Sequence, residues 1–151
     1  MSRILMAAAA LLLTAATPAV HAADDYVTNA DEIVKAADWA KAEVVTLKLD
    51  EHSYSPNKVT LKAGQPYKLV LKDEGEEKHY FTAPEFFKAI ATRKVEVGLA
   101  EIKAPYFKAF ELKPKGELTL FFVAVTKGTY TPYCSIEDHR KKGMEATIVI
   151  E

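Results

Sequence analysis

The chain has almost no cysteine, almost no net charge and no long hydrophobic run. Its 151 residues include one cysteine, Cys134, and 20 basic against 21 acidic side chains. A single thiol excludes an intramolecular disulfide framework, a zinc ribbon, a Cys-x-x-Cys redox motif and a dinuclear metal centre bridged by two thiolates. Near-neutral charge argues against nucleic acid as the main partner, because binding phosphates requires a strongly basic face. The longest apolar run, Ile4 to Ala16, has 13 residues, short of the roughly 20 that span a bilayer. Leu118 to Val125 is strand-sized. Internal repeats are absent, as is low-complexity sequence beyond the first residues. What is present is ordinary for one globular domain: 49% hydrophobic and 27% charged residues.

Arg3, the apolar run and the small residues at Val20 and Ala22 follow the n-region, h-region and cleavage pattern of a secretory signal. The expectation is a signal peptide over 1–22, cut after Ala22, an N-terminal extension with a short helix over 23–43, and one domain over 44–151. No cysteine follows the signal, so no lipoprotein anchor is expected and no membrane span remains after cleavage. Removing 22 residues leaves 129, with 19 basic and 21 acidic side chains. Such a protein would be periplasmic or secreted. In an oxidising compartment a lone exposed thiol would be oxidised or cross-linked unless something occupies it.

The periodicity is that of strands. Asp31 is placed to cap a short helix reaching Trp39 or Ala40, with Ile33, Ala36, Ala37 and Ala40 on one face. From Val44 the period falls to two. Val45, Leu47 and Leu49 alternate with Thr46 and Lys48; Val59 and Leu61 with Thr60 and Lys62; Tyr67, Leu69 and Leu71 with Lys68 and Lys72. Ser55-Pro56-Asn57, Ala63-Gly64-Gln65-Pro66 and Asp73-Glu74-Gly75 read as turns between them. His79 to Thr82 reads as a short strand, and Pro84 opens a helix over Glu85 to Ala91 with Phe86, Phe87 and Ile90 inward. Thr92 to Tyr106 shows no clear period and reads as a long excursion with at most one strand. Phe107 to Leu112, Leu118 to Val125, Thr129 to Cys134 and Ala146 to Ile150 complete an all-β chain, an antiparallel sandwich or barrel.

The chemistry lies in Tyr133-Cys134-Ser135-Ile136-Glu137-Asp138-His139-Arg140-Lys141-Lys142-Gly143-Met144. Cys134, His139 and Met144 follow one another at intervals of five, just before the last strand, and His79 opens a strand 55 residues upstream of Cys134. One thiolate, two imidazoles and a thioether are the donor set of a blue-copper site. Thiolate and thioether suit Cu(I), imidazole suits both copper states, and a trigonal plane with a weak axial sulfur lies between the geometries the two states prefer. Taken singly, each residue also fits a plain structural role: a core thiol, a core methionine, solvated or hydrogen-bonded histidines. A Cys–His hydrolase fits less well, because the sequence offers no third residue to orient the histidine. His52, beside Glu51 and Ser53, reads as a solvated histidine at a strand end and a reserve ligand.

Gly128-Thr129-Tyr130-Thr131-Pro132-Tyr133-Cys134 with Ser135, His139, Gly143 and Met144 resembles the C-terminal motif of the plastocyanin/azurin (cupredoxin) family. Tyr54-Ser55-Pro56 and Val59-Thr60-Leu61-Lys62-Ala63-Gly64 are similar to its early strands. The resemblance implies a Greek-key β-sandwich of about seven or eight strands. It also implies one mononuclear type 1 copper on His79, Cys134, His139 and, axially, Met144. Two positions depart from the pattern. Tyr80 stands where many members have an Asn or Ser that ties the ligand strands together, and Pro132 where many have an aromatic, which predicts an edge or irregular pairing there. The excursion from Ala83 to Tyr106 is expected to cover one side of the metal end.

The function the resemblance implies is single-electron shuttling between periplasmic redox partners, with no enzymatic turnover. His139 would be the electron port and Tyr133 a second surface route. Arg140, Lys141 and Lys142 would steer docking onto an acidic partner. The alternatives are a copper chaperone, buffer or resistance protein using the same ligands, and a copper-free binding module. The absence of Met or His runs favours electron transfer over copper handling.

Overall fold

A computed structural model describes residues 25–151, so the expected signal over 1–22 lies outside the described residues. The expectation of an all-β sandwich holds. The described residues form eleven strands in chain order: β1 (Glu43–Asp50), β2 (Ser53–Ser55), β3 (Lys58–Leu61), β4 (Pro66–Asp73), β5 (His79–Thr82), β6 (Ile90–Val97), β7 (Ala100–Ile102), β8 (Ala109–Leu112), β9 (Glu117–Ala124), β10 (Gly128–Tyr130) and β11 (Thr147–Ile150). Two short helices are α1 (Ala30–Ala36) and α2 (Pro84–Lys88).

One layer is a six-stranded sheet in the order β2-β1-β4-β9-β6-β7. The other comprises β10-β11-β3 and β5-β8, stitched together by isolated bridges from Tyr133 to Thr82 and to Glu145. The strict alternation in β1 sends Leu47 and Leu49 inward and Lys48 outward. Leu69, Leu71, Leu120 and Phe122 face Val59, Leu61, Ile148 and Ile150 as parts of one core cluster. Each such side chain, fully buried, contributes about 1.5–3 kcal/mol. At the centre an aromatic cluster packs edge to face: Phe81 with Phe87 at 6.0 Å, Phe86 with Phe122 at 5.5 Å, Phe87 with Phe110 at 5.3 Å.

Several expectations are corrected. The sheets are mixed rather than antiparallel, because β1 runs parallel to β4 and β3 parallel to β11. The strand count exceeds seven or eight. Residues 90–102, expected as part of a helix and an irregular excursion, form β6 and β7, and β6 sits inside the large sheet between β9 and β7. The helix after Pro84 therefore ends at Lys88, and Ile90 begins a strand. Residues 83–102 thus supply α2 and two strands of the large sheet, and residues 103–106 are largely exposed. The first helix begins at Ala30, so Asp31 lies in its first turn and does not cap it. A separate 3-10 turn over Trp39–Lys41 is capped by Asp38, whose carboxylate accepts from the Ala40 N–H. The helix α1 packs against β6 and β9, and Trp39 meets Phe121 at 6.5 Å, so the N-terminal extension covers the outer face of the large sheet. Pro132 does interrupt the pairing: β10 stops at Tyr130, and beyond it only the Tyr133 bridges remain.

Candidate metal centre

One strand and one loop deliver the donors. β5 supplies His79 at its first residue. The loop between β10 and β11 supplies Cys134 and His139. His79, Cys134 and His139 are 0%, 0% and 5% exposed, and one donor atom from each lies within 4.8 Å of the others. Cys134 Sγ stands 3.6 Å from His139 Nδ1, and the His79 and His139 rings are 5.3 Å apart.

Backbone hydrogen bonds fix this arrangement. The Thr82 N–H donates to the Tyr133 carbonyl and the Tyr133 N–H to the Thr82 carbonyl, each at 3.0 Å, which ties the cysteine segment to β5. The Cys134 N–H donates to the Met144 carbonyl at 3.1 Å, and the Met144 N–H to the His139 carbonyl at 3.0 Å, so three of the expected ligands share one hydrogen-bonded loop. Gly143, at φ +101°, makes the turn between the last two. Met144 is fully buried.

The Tyr80 departure is compensated. Its backbone N–H donates to Cys134 Sγ at 3.4 Å, and its carbonyl accepts from the buried Tyr54 hydroxyl. The cross-strand tie expected from a side chain at position 80 comes instead from Thr82, whose Oγ1 donates to Ser135 Oγ at 3.1 Å. The Tyr80 hydroxyl points away, to Glu111.

The surroundings favour a neutral His139. Burial, with His52 and His79 nearby, pulls the His139 pKa below the usual histidine value. Both ring nitrogens of the buried His79 lack a hydrogen-bond partner, as does Asp73 Oδ2. Asp73 Oδ1 accepts from the Gly75 N–H at 3.0 Å, and burial pushes the Asp73 carboxyl pKa up. An orphaned buried imidazole costs stability unless a ligand bonds it. With a thiol and a second imidazole alongside, the donor chemistry fits a thiophilic, imidazole-binding metal.

Other residues sit differently from expectation. His52 is neither solvated nor distant: half-buried, it places its ring 4.8 Å from His139 at 74°. Glu77 Oε2 lies 3.8 Å from His139 Nε2, so the outward side of His139 is flanked by two side chains. The basic run is largely paired, Arg140 with Glu145 at 3.1 Å and Lys141 with Asp138 at 3.2 Å. Lys142 Nζ reaches His52 Nε2 at 3.3 Å. Arg140 also lies 4.3 Å over the Tyr133 ring. Thr82 and Glu77 gave no functional signal in the sequence, and Asp73 and Gly75 gave only that of a turn; their roles follow from pairings made across strands and turns.

A two-layer β-sandwich carrying a buried thiol–imidazole cluster at one end defines a class, the small copper-binding β-sandwich proteins. The cupredoxin-like domain family model matches residues 4–150, and the chain belongs to that family. No curated protein matches it. Among solved structures, dithionite-reduced auracyanin from the photosynthetic bacterium Roseiflexus castenholzii is similar over 73% of this chain and 98% of its own, at 18% identity and TM-score 0.51. Auracyanin B is similar over 76% and 93%, at 13% identity and TM-score 0.52. A multi-copper oxidase from Pseudomonas thermotolerans aligns at 20% identity and TM-score 0.57, but this chain spans only 31% of it. At such identities these likenesses show the fold. The family and the His–Cys–His cluster together fit one type 1 copper.

Proposed function

We propose that the protein is an exported type 1 copper protein that carries single electrons between periplasmic redox partners and catalyses no reaction of its own. The observation that supports this most is the burial together of one thiol and two imidazoles, with both nitrogens of His79 unbonded. His79, Cys134 and His139 would hold the metal, with the Met144 thioether as the fourth donor. A copper ion bound there would supply one-electron Cu(II)/Cu(I) chemistry, which suits a carrier between two redox partners.

The chain's own contribution is rigidity. The paired bonds between Thr82 and Tyr133, and those linking Met144 to Cys134 and His139, hold the donors in place in both redox states. The Tyr80 N–H donates to the sulfur and stabilises negative charge on it. Three donors that are at most 5% exposed leave little room for a substrate. The same burial favours retention of copper over delivery to an acceptor, which supports electron transfer over a chaperone role. An acidic partner would dock beside Arg140, Lys141 and Lys142. Their pairing with Glu145 and Asp138 offsets part of that charge, so exchange with the partner should slow only modestly as salt rises; a rate indifferent to salt would remove the steering role.

The deciding experiment adds Cu(II) to the purified protein. An intense blue thiolate-to-copper band that is lost in Cys134→Ser supports the reading, and reversible electrochemical cycling supports electron transfer. A colourless protein that binds copper no better than Cys134→Ser overturns it.

A further inference from the structure

We propose that His52 is the gate of the metal site: its ring closes the solvent side of His139, and copper enters and leaves past it. This rests on the copper reading above and adds the route by which the metal reaches its ligands.

Four observations converge on His52. First, His139 is 5% exposed, although it lies on an otherwise exposed loop with Asp138, Arg140, Lys141 and Lys142 around it. Second, the His52 ring supplies cover, meeting the His139 ring edge-on at 4.8 Å and 74°. Third, the ring is held from the ligand loop itself, by Lys142 Nζ at 3.3 Å from His52 Nε2. Fourth, His52 adopts φ +61° in the two-residue turn joining β1 to β2. Such a turn position favours Gly or Asn. A bulky ring there is a local conflict, of the kind that collects at functional positions.

The part best placed to move is the His52 side chain, because Glu51 anchors the turn by accepting from the Glu76 and Glu77 N–H groups. Pairing of β1 with β2 ends at Asp50 and Ser53, and Glu51 and Ser53 are exposed. A rotation of the His52 side chain uncovers His139 while the turn and the sheet stay intact. The other donors lie behind: Cys134 Sγ is on the Nδ1 side of His139, and Glu77 flanks its Nε2.

The test compares the full chain with His52→Gly, which removes the ring and the left-handed strain, and His52→Phe, which keeps a ring but no nitrogen. Two rates are read. One is carbethoxylation of His139 by diethylpyrocarbonate in metal-free protein, followed by peptide mass spectrometry. The other is loss of Cu(I) from loaded protein to bathocuproine disulfonate. The gate predicts that both rise at least tenfold in His52→Gly and stay within about twofold of the parent in His52→Phe. The metal-free His52→Gly protein should unfold at the same temperature as the parent or higher. Rates in His52→Gly within twofold of the parent overturn the gate. So does slower copper loss in both variants, which would make His52 a relay ligand, or loss of the blue band in His52→Gly, which would make it a resident one. A parent that never turns blue refutes the copper reading by itself, and the carbethoxylation arm still decides whether His52 covers His139.

Discussion

Gly75 offers the sharpest test of how tightly the metal end is packed. It is buried in the loop between β4 and β5 that leads into His79. A Cβ there would lie 2.9 Å from His79 Nε2 and 2.6 Å from Glu51 Oε1. Ordinary contact begins at 3.4 Å, so in Gly75→Ala the His79 ring must move by about half an ångström or the loop must shift. Glu51 can retreat, but its Oε1 accepts from the Glu77 N–H at 3.2 Å and also from the Glu76 N–H. Each such bond is worth about 0.5–1.5 kcal/mol. Overpacking of this kind costs about 1–3 kcal/mol. At roughly 4 °C per kcal/mol for a domain of this size, the metal-free protein should melt about 4–12 °C lower. A displaced ligand should also weaken copper binding about 10–100-fold, read by competition with a chelator.

Gly64→Ala is the control. Nothing lies within 4 Å of its Cβ position, but its φ is +82°. It should cost about 1–2 kcal/mol in backbone strain and leave copper affinity unchanged. If Gly75→Ala melts within 1 °C of the parent with unaltered copper affinity, the close packing of His79 against this loop is wrong.

Thr82→Val removes the hydroxyl that donates to Ser135; urea unfolding should show a loss of about 0.5–1.5 kcal/mol, and amide exchange at Cys134 should quicken, whereas unchanged exchange would deny Thr82 its role as the tie. The metal-free protein should be acid-sensitive through His139. Its folded pKa is lowered by burial and by His52 and His79, so the unfolded chain binds the proton more tightly, and the stabilisation is complete above about pH 6.5 and lost as pH falls through the lower folded value. Urea midpoints at pH 7.5, 6.5 and 5.5 should fall more steeply for the parent than for His139→Asn, and equal slopes would refute this.

How much of this was legible in the sequence depended on periodicity. β1, β3 and β4 show uninterrupted alternation because each has one face on the core. β6 was missed for a physical reason: its register against β9 shifts between Thr92 and Lys94, and a bulge resets the alternation that marks a strand. β2 has three residues, too few to show a period. The parallel pairings of β1 with β4 and β3 with β11 are long-range and have no local signature. The cluster of His79, Cys134 and His139 was legible because its donor types are rare in this chain and the spacing of Cys134 and His139 is short. His52 was misread because its partner lies 87 residues away, although a histidine in a tight turn, in a chain with four histidines, was itself a signal.

Three features that depart from good folding practice lie at the metal end of the molecule. His79 has two orphaned nitrogens, Asp73 has an orphaned carboxylate oxygen, and His52 holds a left-handed backbone. The opposite is true of the interior, where Phe81, Phe86, Phe87 and Phe122 pack at 0–1% exposure. Each buried orphan costs about 1–3 kcal/mol, and the aromatic core is large enough to carry that load. A metal bonded to His79 removes one of the orphans, so the folded state binds it and the unfolded chain does so poorly. Linkage then requires copper to stabilise the fold, by about 4 kcal/mol when free metal stands a thousandfold above the dissociation constant. Because β5, the Tyr133 bridges and the ligand loop are already hydrogen-bonded, that stabilisation should raise the melting temperature without changing the far-ultraviolet circular dichroism. A metal that instead induced new strand structure would mean the donors are gathered by the metal rather than by the fold.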